Sequence, residues 1–343
     1  MTLNYPYSGQ RKSARPNRVT TGGRVISYAY DGNGNITHIS DKAGASATAV
    51  NVYYHYDERN QLIREDSQAQ GKTFVYAYDI GGNLTCVEEY AYTTAATIPG
   101  SPAAVHTATY SAVWKDQMKT WDGMSLAYDA NGSLKKKGST TYTWGAGRRL
   151  MSVNNGTSIS YEYDHTGTRT KKTVGGTATT YHYMNGGLLM SENTGSRNIR
   201  YFYDSGANLA GLAVNGTTYH YIRNLQNDII GIMDSSGTVV VNYSYDSWGK
   251  LLSVTGPLAG TIGVYNPFRY RGYYYDAETG MYYLKSRYYD PEIKKFISSD
   301  EGLNNTNGLL GLNLYIYCLN SPTNYYDDNG KDPYGVLKPK KLI

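Results

Sequence analysis

The side chains best suited to chemistry in this sequence are its histidines and its many aspartates. Six histidines are present: His38, His55, His106, His165, His182 and His220. Several stand inside a repeated pattern, and no His-x-x-x-His or Cys-x-x-Cys spacing occurs, although metal sites depend on such spacings. Phosphate-loop, dinucleotide and nucleophile-elbow motifs are also absent from the sequence. We therefore predict neither a metal nor a cofactor.

The aspartates recur at a fixed place in a repeat, directly after a triplet that ends in tyrosine. The repeat members are Asp31, Asp57, Asp79, Asp129, Asp164, Asp204 and Asp246. A calcium loop needs several oxygen ligands at close spacing, whereas each of these repeats offers one carboxylate. An aspartate can instead bond the backbone two residues further on, and the Gly or Asn that follows tolerates positive φ. The pattern indicates turn capping.

The elements that position these residues are hairpin units of the form Tyr-x-Tyr-Asp-x-x-Gly-Asn-Leu. Full copies lie at 28–36, 54–62, 76–84, 126–134, 161–169, 201–209 and 243–251, and degenerate copies at 142–144, 181–188 and 219–224. Tyr-x-Tyr places both rings on one face of a strand, and the turn then reverses the chain. We expect rings of neighbouring tyrosine strands to stack on each other. Since one hairpin cannot bury its face alone, the units predict a continuous array.

Composition supports an all-β fold and narrows the possible partners. The chain has 343 residues with 38 Tyr and 38 Gly, against only 4 Phe and 4 Trp. A net charge of +5 is mild and the basic residues are scattered, so we predict no nucleic-acid partner. No apolar run reaches the roughly 20 residues that span a bilayer, and no signal peptide opens the chain. The two cysteines, Cys86 and Cys318, do not form a disulfide framework.

The stretch from Tyr265 to Gly330 differs from the array, because tyrosines and arginines crowd together in it. Its most specific pattern is Tyr282-Tyr283-Leu284-x-x-Arg287-Tyr288-Tyr289-Asp290. This stretch resembles the RHS-associated core, and the upstream units resemble the YD repeats, of the RHS/YD-repeat family that includes bacterial polymorphic toxins and teneurins. The resemblance implies a spiralling array of β-hairpins, a partial β-shell, with a C-terminal core as its plug.

We divide the chain on this basis. Residues 1–25 are a partial repeat or disordered, 26–260 the repeat array, 261–330 the core and 331–343 a variable tail. Within the core, Arg269, Arg271 and Arg287 stand beside tyrosines, which allows cation–π contacts and a fork to a carboxylate. We expect these arginines to hold the core against the last turns of the array.

The resemblance also implies a catalytic hypothesis. Some toxin-associated members resemble aspartic proteases that cut their own chain after the core, where two carboxylates share a proton and activate a water. Here Arg287 matches the arginine of that motif, Asp300 the first aspartate, and Asp327 or Asp328 the second. Both aspartates lack the proline that usually follows, because the sequence has Asp300-Glu301-Gly302 and Asp328-Asn329-Gly330. Structural bonding of these aspartates to arginines and turns is the favoured interpretation.

The sequence thus favours a non-enzymatic shell or scaffold that encapsulates or presents a C-terminal toxin or effector polypeptide, encoded elsewhere or beyond this chain. Two alternatives stay open: aspartic self-cleavage in the core, and a cell-surface adhesin whose tyrosines bind glycan or protein. We expect a secreted or cell-surface protein, and we expect this chain to be a C-terminal part of a longer one.

Overall fold

The structure is a computed structural model that describes residues 1–5, 7–8, 11–12, 15–184, 187–302, 305–331 and 333–335. Most of the chain up to residue 255 consists of short strands joined by tight turns. These strands are β1 (Thr2–Asn4), β2 (Tyr7–Ser8), β3 (Arg11–Lys12), β4 (Arg18–Thr21), β5 (Arg24–Tyr30), β6 (Ile36–Lys42), β7 (Val50–Tyr56), β8 (Leu62–Ser67), β9 (Lys72–Tyr78), β10 (Leu84–Ala91), β11 (Ala104–Tyr110), β12 (Met118–Trp121), β13 (Met124–Tyr128), β14 (Leu134–Lys137), β15 (Thr140–Trp144), β16 (Leu150–Asn154), β17 (Ser158–Tyr163), β18 (Arg169–Val174), β19 (Thr177–Met184), β20 (Leu188–Thr194), β21 (Arg197–Tyr203), β22 (Leu209–Val214), β23 (Thr217–Arg223), β24 (Ile229–Met233), β25 (Val239–Tyr245) and β26 (Leu251–Thr255).

The remainder forms a compact core with little regular structure. Its elements are α1 (Ile262–Tyr265), β27 (Tyr274–Asp276), β28 (Met281–Tyr283), β29 (Tyr288–Asp290), β30 (Lys295–Phe296), β31 (Tyr325–Tyr326), β32 (Tyr334–Gly335) and 3₁₀ turns at Tyr270–Gly272, Asn305–Leu312 and Cys318–Asn320. One further 3₁₀ turn, Ala146–Arg148, lies in the array. Among the described residues, no helix is long and apolar enough to cross a membrane.

The array is one antiparallel meander of 24 strands. Each strand from β4 to β26 pairs with the next one along the chain, and β1 pairs with β4. Within the described part of the chain, no ladder joins β1 to β26, so the sheet is open at both edges. This arrangement confirms the predicted all-β array of hairpins.

Side-chain contacts show that the meander coils back on itself. The backbone N–H of Leu225 donates to the Tyr28 hydroxyl at 3.2 Å, across 197 residues of sequence. The Ser247 hydroxyl donates to Tyr54 at 3.3 Å, and the rings of Tyr76 and Trp248 lie 5.8 Å apart. Late hairpins therefore lie against early ones, as in one turn of a spiral.

Each hairpin unit directs its tyrosines inward. In the unit around β9, Tyr76 is buried, Ala77 is exposed and Tyr78 is half-buried, which is the period of two of a strand with one face covered. At the turn, Asp79 Oδ1 accepts the Asn83 backbone N–H at 2.9 Å, and Asp79 Oδ2 accepts the Asn83 side-chain amide at 2.9 Å. Gly82 follows at φ 77°, a conformation that suits glycine. The predicted turn capping is confirmed.

Tyrosine hydroxyls link each hairpin to the one before it. The ladder between β8 and β9 ends at Arg64↔Val75, so the carbonyl of Leu62 lies beyond its last pair. The Tyr78 hydroxyl donates to that carbonyl at 2.7 Å. The same bond recurs from Tyr30 to Pro16, Tyr56 to Ile36, Tyr110 to Leu84, Tyr163 to Leu150, Tyr203 to Leu189 and Tyr245 to Ile229, and from the Trp144 indole N–H to Leu134.

The expected ring-on-ring stacking between neighbouring tyrosine strands is wrong for the described repeat units of the array. A return strand separates successive tyrosine strands, so their rings are two strand spacings apart, roughly 9.6 Å. The rings instead meet aromatic residues of the core. Tyr161 lies 5.6 Å from Tyr288, Tyr181 lies 5.6 Å from Tyr274, and Tyr201 lies 4.8 Å from Phe268.

Removing one linking hydroxyl should weaken the array measurably. We predict that Tyr78→Phe lowers the free energy of unfolding by about 1–2 kcal/mol, because the Leu62 carbonyl loses its partner while the ring stays packed. Tyr53→Phe is the matched control, since the Tyr53 hydroxyl has no hydrogen-bond partner among the described residues and its ring stacks on His38. Urea unfolding of both variants checks this, and equal losses in the two would contradict it.

Candidate functional site between the core and the turns

The core lies against the turn ends of hairpins from all parts of the coil. Asn324 Oδ1 accepts the backbone N–H of Ile36 at 2.7 Å. Asn320 donates to the Gly82 carbonyl at 2.7 Å, and Tyr315 donates to the Gly132 carbonyl at 2.7 Å. Tyr282 donates to the Gly249 carbonyl, also at 2.7 Å. The core thus ties the first, middle and last turns of the array to one body.

Arg287 brings together the aspartates that were predicted as a catalytic pair. Its Nη2 lies 2.9 Å from Asp300 Oδ2 and 3.7 Å from Asp327 Oδ2. Its Nε donates to the carbonyl of Gly330, its Nη1 donates to the carbonyl of Leu314 at 3.1 Å, and its guanidinium lies over the Phe296 ring. Both carboxylates therefore face one guanidinium beside the peptide that follows them.

The two aspartates differ in environment. Asp327 is buried, and its Oδ1 accepts the backbone N–H of Gly330 at 2.7 Å and of Lys331 at 3.1 Å. Burial raises the pKa of Asp327 to about 6, against the lowering effect of Arg287 and these N–H donors. Asp300 is less buried, with 20% of its side chain exposed. Asp328 lines a separate cleft together with Arg271 and Lys285.

The other two core arginines hold the core to the array. Arg271 binds both carboxylate oxygens of Asp228, at 2.9 and 3.0 Å, and Asp228 lies in the turn before β24. Arg269 donates to the carbonyls of Asn266 and Gly263, at 3.4 and 3.2 Å. Its guanidinium lies 5.2 Å from the centre of the Tyr243 ring.

The remaining residues of the core motif are buried contacts to the array. Tyr289 donates to the Trp248 carbonyl at 2.8 Å, and Asp290 binds Lys137 of β14 at 2.6 Å. The hydroxyl of Tyr288 lies 3.1 Å from that of Tyr163. The Tyr283 hydroxyl, also part of this motif, accepts a hydrogen bond from the Arg169 backbone N–H at 3.3 Å.

Arg169 is the centre of a cluster that the sequence did not reveal. It is 1% exposed, and its two terminal nitrogens bind Asp276 of β27 at 2.5 and 3.2 Å. Lys172 binds the same carboxylate at 2.9 Å. The rings around the guanidinium belong to Tyr161, Tyr181, Tyr274, Tyr283 and Tyr288. One signal was available: Arg169 stands where most units have Leu or Ile.

Charge balance in this cluster is tight. Burial alone would raise the pKa of Asp276, but Arg169 and Lys172 outweigh burial and hold that pKa below its usual value. Lys172 also binds Glu278 at 2.6 Å, so two carboxylates offset two buried cations that would otherwise be costly. The cluster is therefore a charged link between β18 and the core. Over the described ranges, no group of three or more His, Cys, Asp or Glu side chains lies close enough to hold a metal ion.

Comparison with known proteins identifies the coil. The family model of the teneurin YD-shell matches residues 18–323. The chain belongs to the teneurin YD-shell family. This result confirms the predicted membership of the RHS/YD-repeat proteins.

Relatives of this YD-shell chain include large bacterial proteins. It is 34% identical over 363 aligned residues to the tRNA3(Ser)-specific nuclease WapA of Bacillus spizizenii, covering 96% of this chain and 15% of that protein. It is 45% identical over 78 residues to the toxin protein Tse5 of Pseudomonas aeruginosa, covering 22% of this chain and 5% of that protein. The chain therefore spans only a small part of the length of either relative.

Solved structures share the YD-shell fold. The crystal structure of TcdB2-TccC3-Cdc42 superposes with a TM-score of 0.72 at 22% identity, over 90% of this chain and 17% of that one. The Photorhabdus luminescens Tc holotoxin pore gives a TM-score of 0.70 at 20% identity, over 91% of this chain and 17% of that one.

This YD-shell contains a charged cavity of about 360 Å³, where β8 to β12 face β26. Glu65, Asp246 and Lys294 line it, and Glu65 is 2% exposed. Burial, and after it the nearby Asp246, raise the pKa of Glu65 to about 7. Burial also raises the pKa of Asp246 and lowers that of Lys294.

Breaking the charged link should destabilise the YD-shell. We predict that Asp276→Asn lowers the free energy of unfolding by about 3–5 kcal/mol, because Arg169 stays buried without its counter-charge and Lys172 keeps only Glu278. Lys171→Gln is the matched control: Lys171 is the neighbour of Lys172 on the same strand and pairs with Glu162 at 2.9 Å on the exposed side. The control should cost less than about 1 kcal/mol. Similar losses in the two variants, measured by urea unfolding, would contradict the charged link.

The buried carboxyl groups should make the YD-shell more stable in mild acid. The folded state binds a proton at Glu65 with a pKa of about 7, above the usual 4.5, so this stability is present below pH 4.5 and is lost as the pH rises towards 7. We predict that Glu65→Gln removes part of the stability difference between pH 5 and pH 8, on the order of 2 kcal/mol.

Denaturation midpoints at pH 5 and pH 8 give the difference in stability between the two pH values for each variant. Glu162→Gln, at an exposed carboxyl group, is the control and should leave it unchanged. An unchanged pH dependence in Glu65→Gln would contradict the role of Glu65.

Proposed function

We propose that this chain forms part of the wall and the end piece of a shell that encapsulates or presents a C-terminal toxin or effector polypeptide. One observation carries the proposal: the core is hydrogen-bonded to turns spread around the coil, from Ile36 to Gly249. A sheet that is held at many points to one central body is stiff, as a wall that sequesters another polypeptide must be. The mechanism is physical containment and requires no catalysis by the wall.

The names of the relatives support this proposal. WapA is described as a nuclease and Tse5 as a toxin, and each is far longer than the part that this chain matches. We further propose that the protein is secreted or presented at the cell surface.

A protected reporter tests containment. A protease-sensitive polypeptide fused after Ile343 should be digested at least about tenfold more slowly than the same polypeptide inserted into the exposed loop 92–103, because the core and the coil would enclose the first and not the second. The loop contains no helix or strand and lies between β10 and β11. Equal digestion rates at the two positions would overturn the proposal. Asp276→Asn in the first fusion should raise its digestion rate, because the core is then less firmly held.

A second candidate function is aspartic self-cleavage, and the geometry around Arg287 favours it. Asp300 and Asp327 both face Nη2 of Arg287, and the Gly330 carbonyl accepts a hydrogen bond from Nε of the same side chain. In such a reaction the ionised Asp300 takes a proton from water while the water oxygen attacks a peptide carbonyl carbon. Asp327 gives its proton to the departing amine as the C–N bond breaks, and Arg287 polarises the carbonyl.

Intact-mass measurement tests self-cleavage. If it occurs, a species ending near Gly330 should accumulate faster at pH 5 than at pH 8. The pKa of Asp327 is about 6, so this carboxyl group is mostly protonated at pH 5 and mostly ionised at pH 8. Asp300→Asn and Asp327→Asn should both abolish the short species, and Asp204→Asn, in an exposed turn, should not. A single full-length mass in the unmodified chain at both pH values would exclude the reaction.

The adhesin alternative stays a prediction. It relied on exposed tyrosines, whereas the paired rings of the repeats lie on the inner face and the residues between them face outward. No specific contact favours a glycan or protein partner on that outer face.

A further inference from the structure

A continuous groove runs along the turn side of the shell, between the array and the core. It consists of three clefts of about 140, 400 and 10 Å³. The first and second share Tyr183, Tyr283 and Lys285, and the second and third share Arg148 and Lys331. We call this feature the turn-side groove. Its third cleft ends at Arg287 and Asp300.

The turn-side groove has aromatic walls and an excess of positive charge. Tyr183 from the array and Tyr283 from the core lie at its middle. Arg149 and Lys285 have no carboxylate within 4.0 Å among the described residues. The Arg148 guanidinium donates to the backbone carbonyls of Ser299 and Asp300, at 3.0 and 2.8 Å, and it forms no ion pair with an acid in the part of the chain that the structure describes.

The acids along the turn-side groove do not cancel this excess. Glu301 pairs with Lys331 at 3.4 Å, and Asp300 pairs with Arg287 at 2.9 Å. Asp328 is the remaining acid of the first cleft, which also contains Lys285. The groove therefore complements a ligand that carries negative charge and flat or apolar groups.

Lys285 is held in an unusual position. It is exposed and adopts φ 66°, a conformation that costs a non-glycine residue of order 1 kcal/mol or more. The Ser286 N–H closes the tight turn by donating to the Leu284 carbonyl at 2.8 Å. A glycine would adopt this backbone at lower cost, so Lys285→Gly should relieve the backbone while it removes the ammonium group.

Polypeptide already occupies one end of the turn-side groove. The Ser286 backbone N–H donates to the Asn329 carbonyl at 3.3 Å, and the Ser286 hydroxyl donates to the same oxygen at 2.6 Å. Arg287 binds the next carbonyl, that of Gly330. These donors recognise consecutive peptide carbonyl groups, which favours a polypeptide over a nucleic acid as the occupant.

We infer that the turn-side groove binds an extended acidic segment of the polypeptide cargo, with aromatic or aliphatic side chains against the tyrosines and carboxylates beside Arg149 and Lys285. This inference rests on the proposed function as a cargo-holding shell. Beyond that function, the inference specifies the chemistry of the cargo segment that the shell recognises and the face of the shell on which this segment lies.

A peptide-binding assay with the full chain tests the inference. The probe is a fluorescent peptide of alternating Glu and Tyr, and the comparison peptide has Lys in place of Glu. The acidic peptide should bind, with an affinity that falls as salt increases, and the basic one should bind at least about tenfold more weakly. Equal affinities for the two peptides would overturn the inference.

Matched variants locate the site. The double variant Arg149→Glu with Lys285→Glu should lower the affinity for the acidic peptide by about tenfold or more. The double variant Arg149→Gln with Lys285→Gly, which relieves the backbone at Lys285, should lower that affinity by less. Lys135→Glu with Lys136→Glu, at exposed positions of β14, is the control and should change the affinity by less than about twofold. Unfolding midpoints confirm that each variant is folded. No change in either groove variant overturns the inference.

Two further results separate this inference from other readings. If oligo(dT) binds more tightly than the acidic peptide and loses affinity in the Lys285→Gly variant, the groove is a nucleic-acid site and the inference fails. If the fused reporter is protected but no acidic peptide binds, the groove inference fails alone. If the peptide binds but the reporter is digested freely, the proposed function fails, and the assignment of the peptide to the cargo fails with it.

Discussion

The bond from a tyrosine hydroxyl to the carbonyl of the preceding hairpin is the interaction on which this structure depends. A sheet that coils must let its ladders end early, as the β8–β9 ladder does at Arg64, and each early end leaves a carbonyl without a ladder partner. The ring of the next unit covers that position and its hydroxyl satisfies the oxygen, as Tyr78 does for Leu62. Phenylalanine would cover the position and leave the oxygen unpaired, which explains why seven units have tyrosine there.

The core uses the same chemistry at the turn ends. Its tyrosines and asparagines donate to turn carbonyls. Buried ion pairs such as Arg271–Asp228 and Arg169–Asp276 also orient the core relative to the array. Buried pairs of this kind contribute little net stability, but they tolerate few alternative arrangements. Hydrogen bonds to turns spread around the coil hold the core in place, and the charged links define which face of it meets which strand.

Local patterns in the sequence were sufficient to predict the hairpins, because tyrosines with a period of two and aspartate-capped turns depend only on residues close in the chain. Ring stacking between units could not be judged this way, since the intervening return strand decides the distance. The Arg169–Asp276 link joins residues 107 positions apart, and only the coil brings them together. Arg287, Asp300 and Asp327 lie together, as the family resemblance implied. Asp327 and Asp328 could not be told apart in advance, because neighbours in a turn point in different directions.

The long sequence separation of the core contacts affects the order in which parts of the structure can form during synthesis. The bond between Ile36 and Asn324 spans 288 residues, and that between Gln61 and Asn320 spans 259. A ribosome releases the hairpins first, and each can pair with its predecessor at once. The partners of their turns are translated later, so the hairpins can pair with one another before the core binds them. During synthesis the curved sheet can therefore form before the tyrosine-rich stretch that binds its turns has been made.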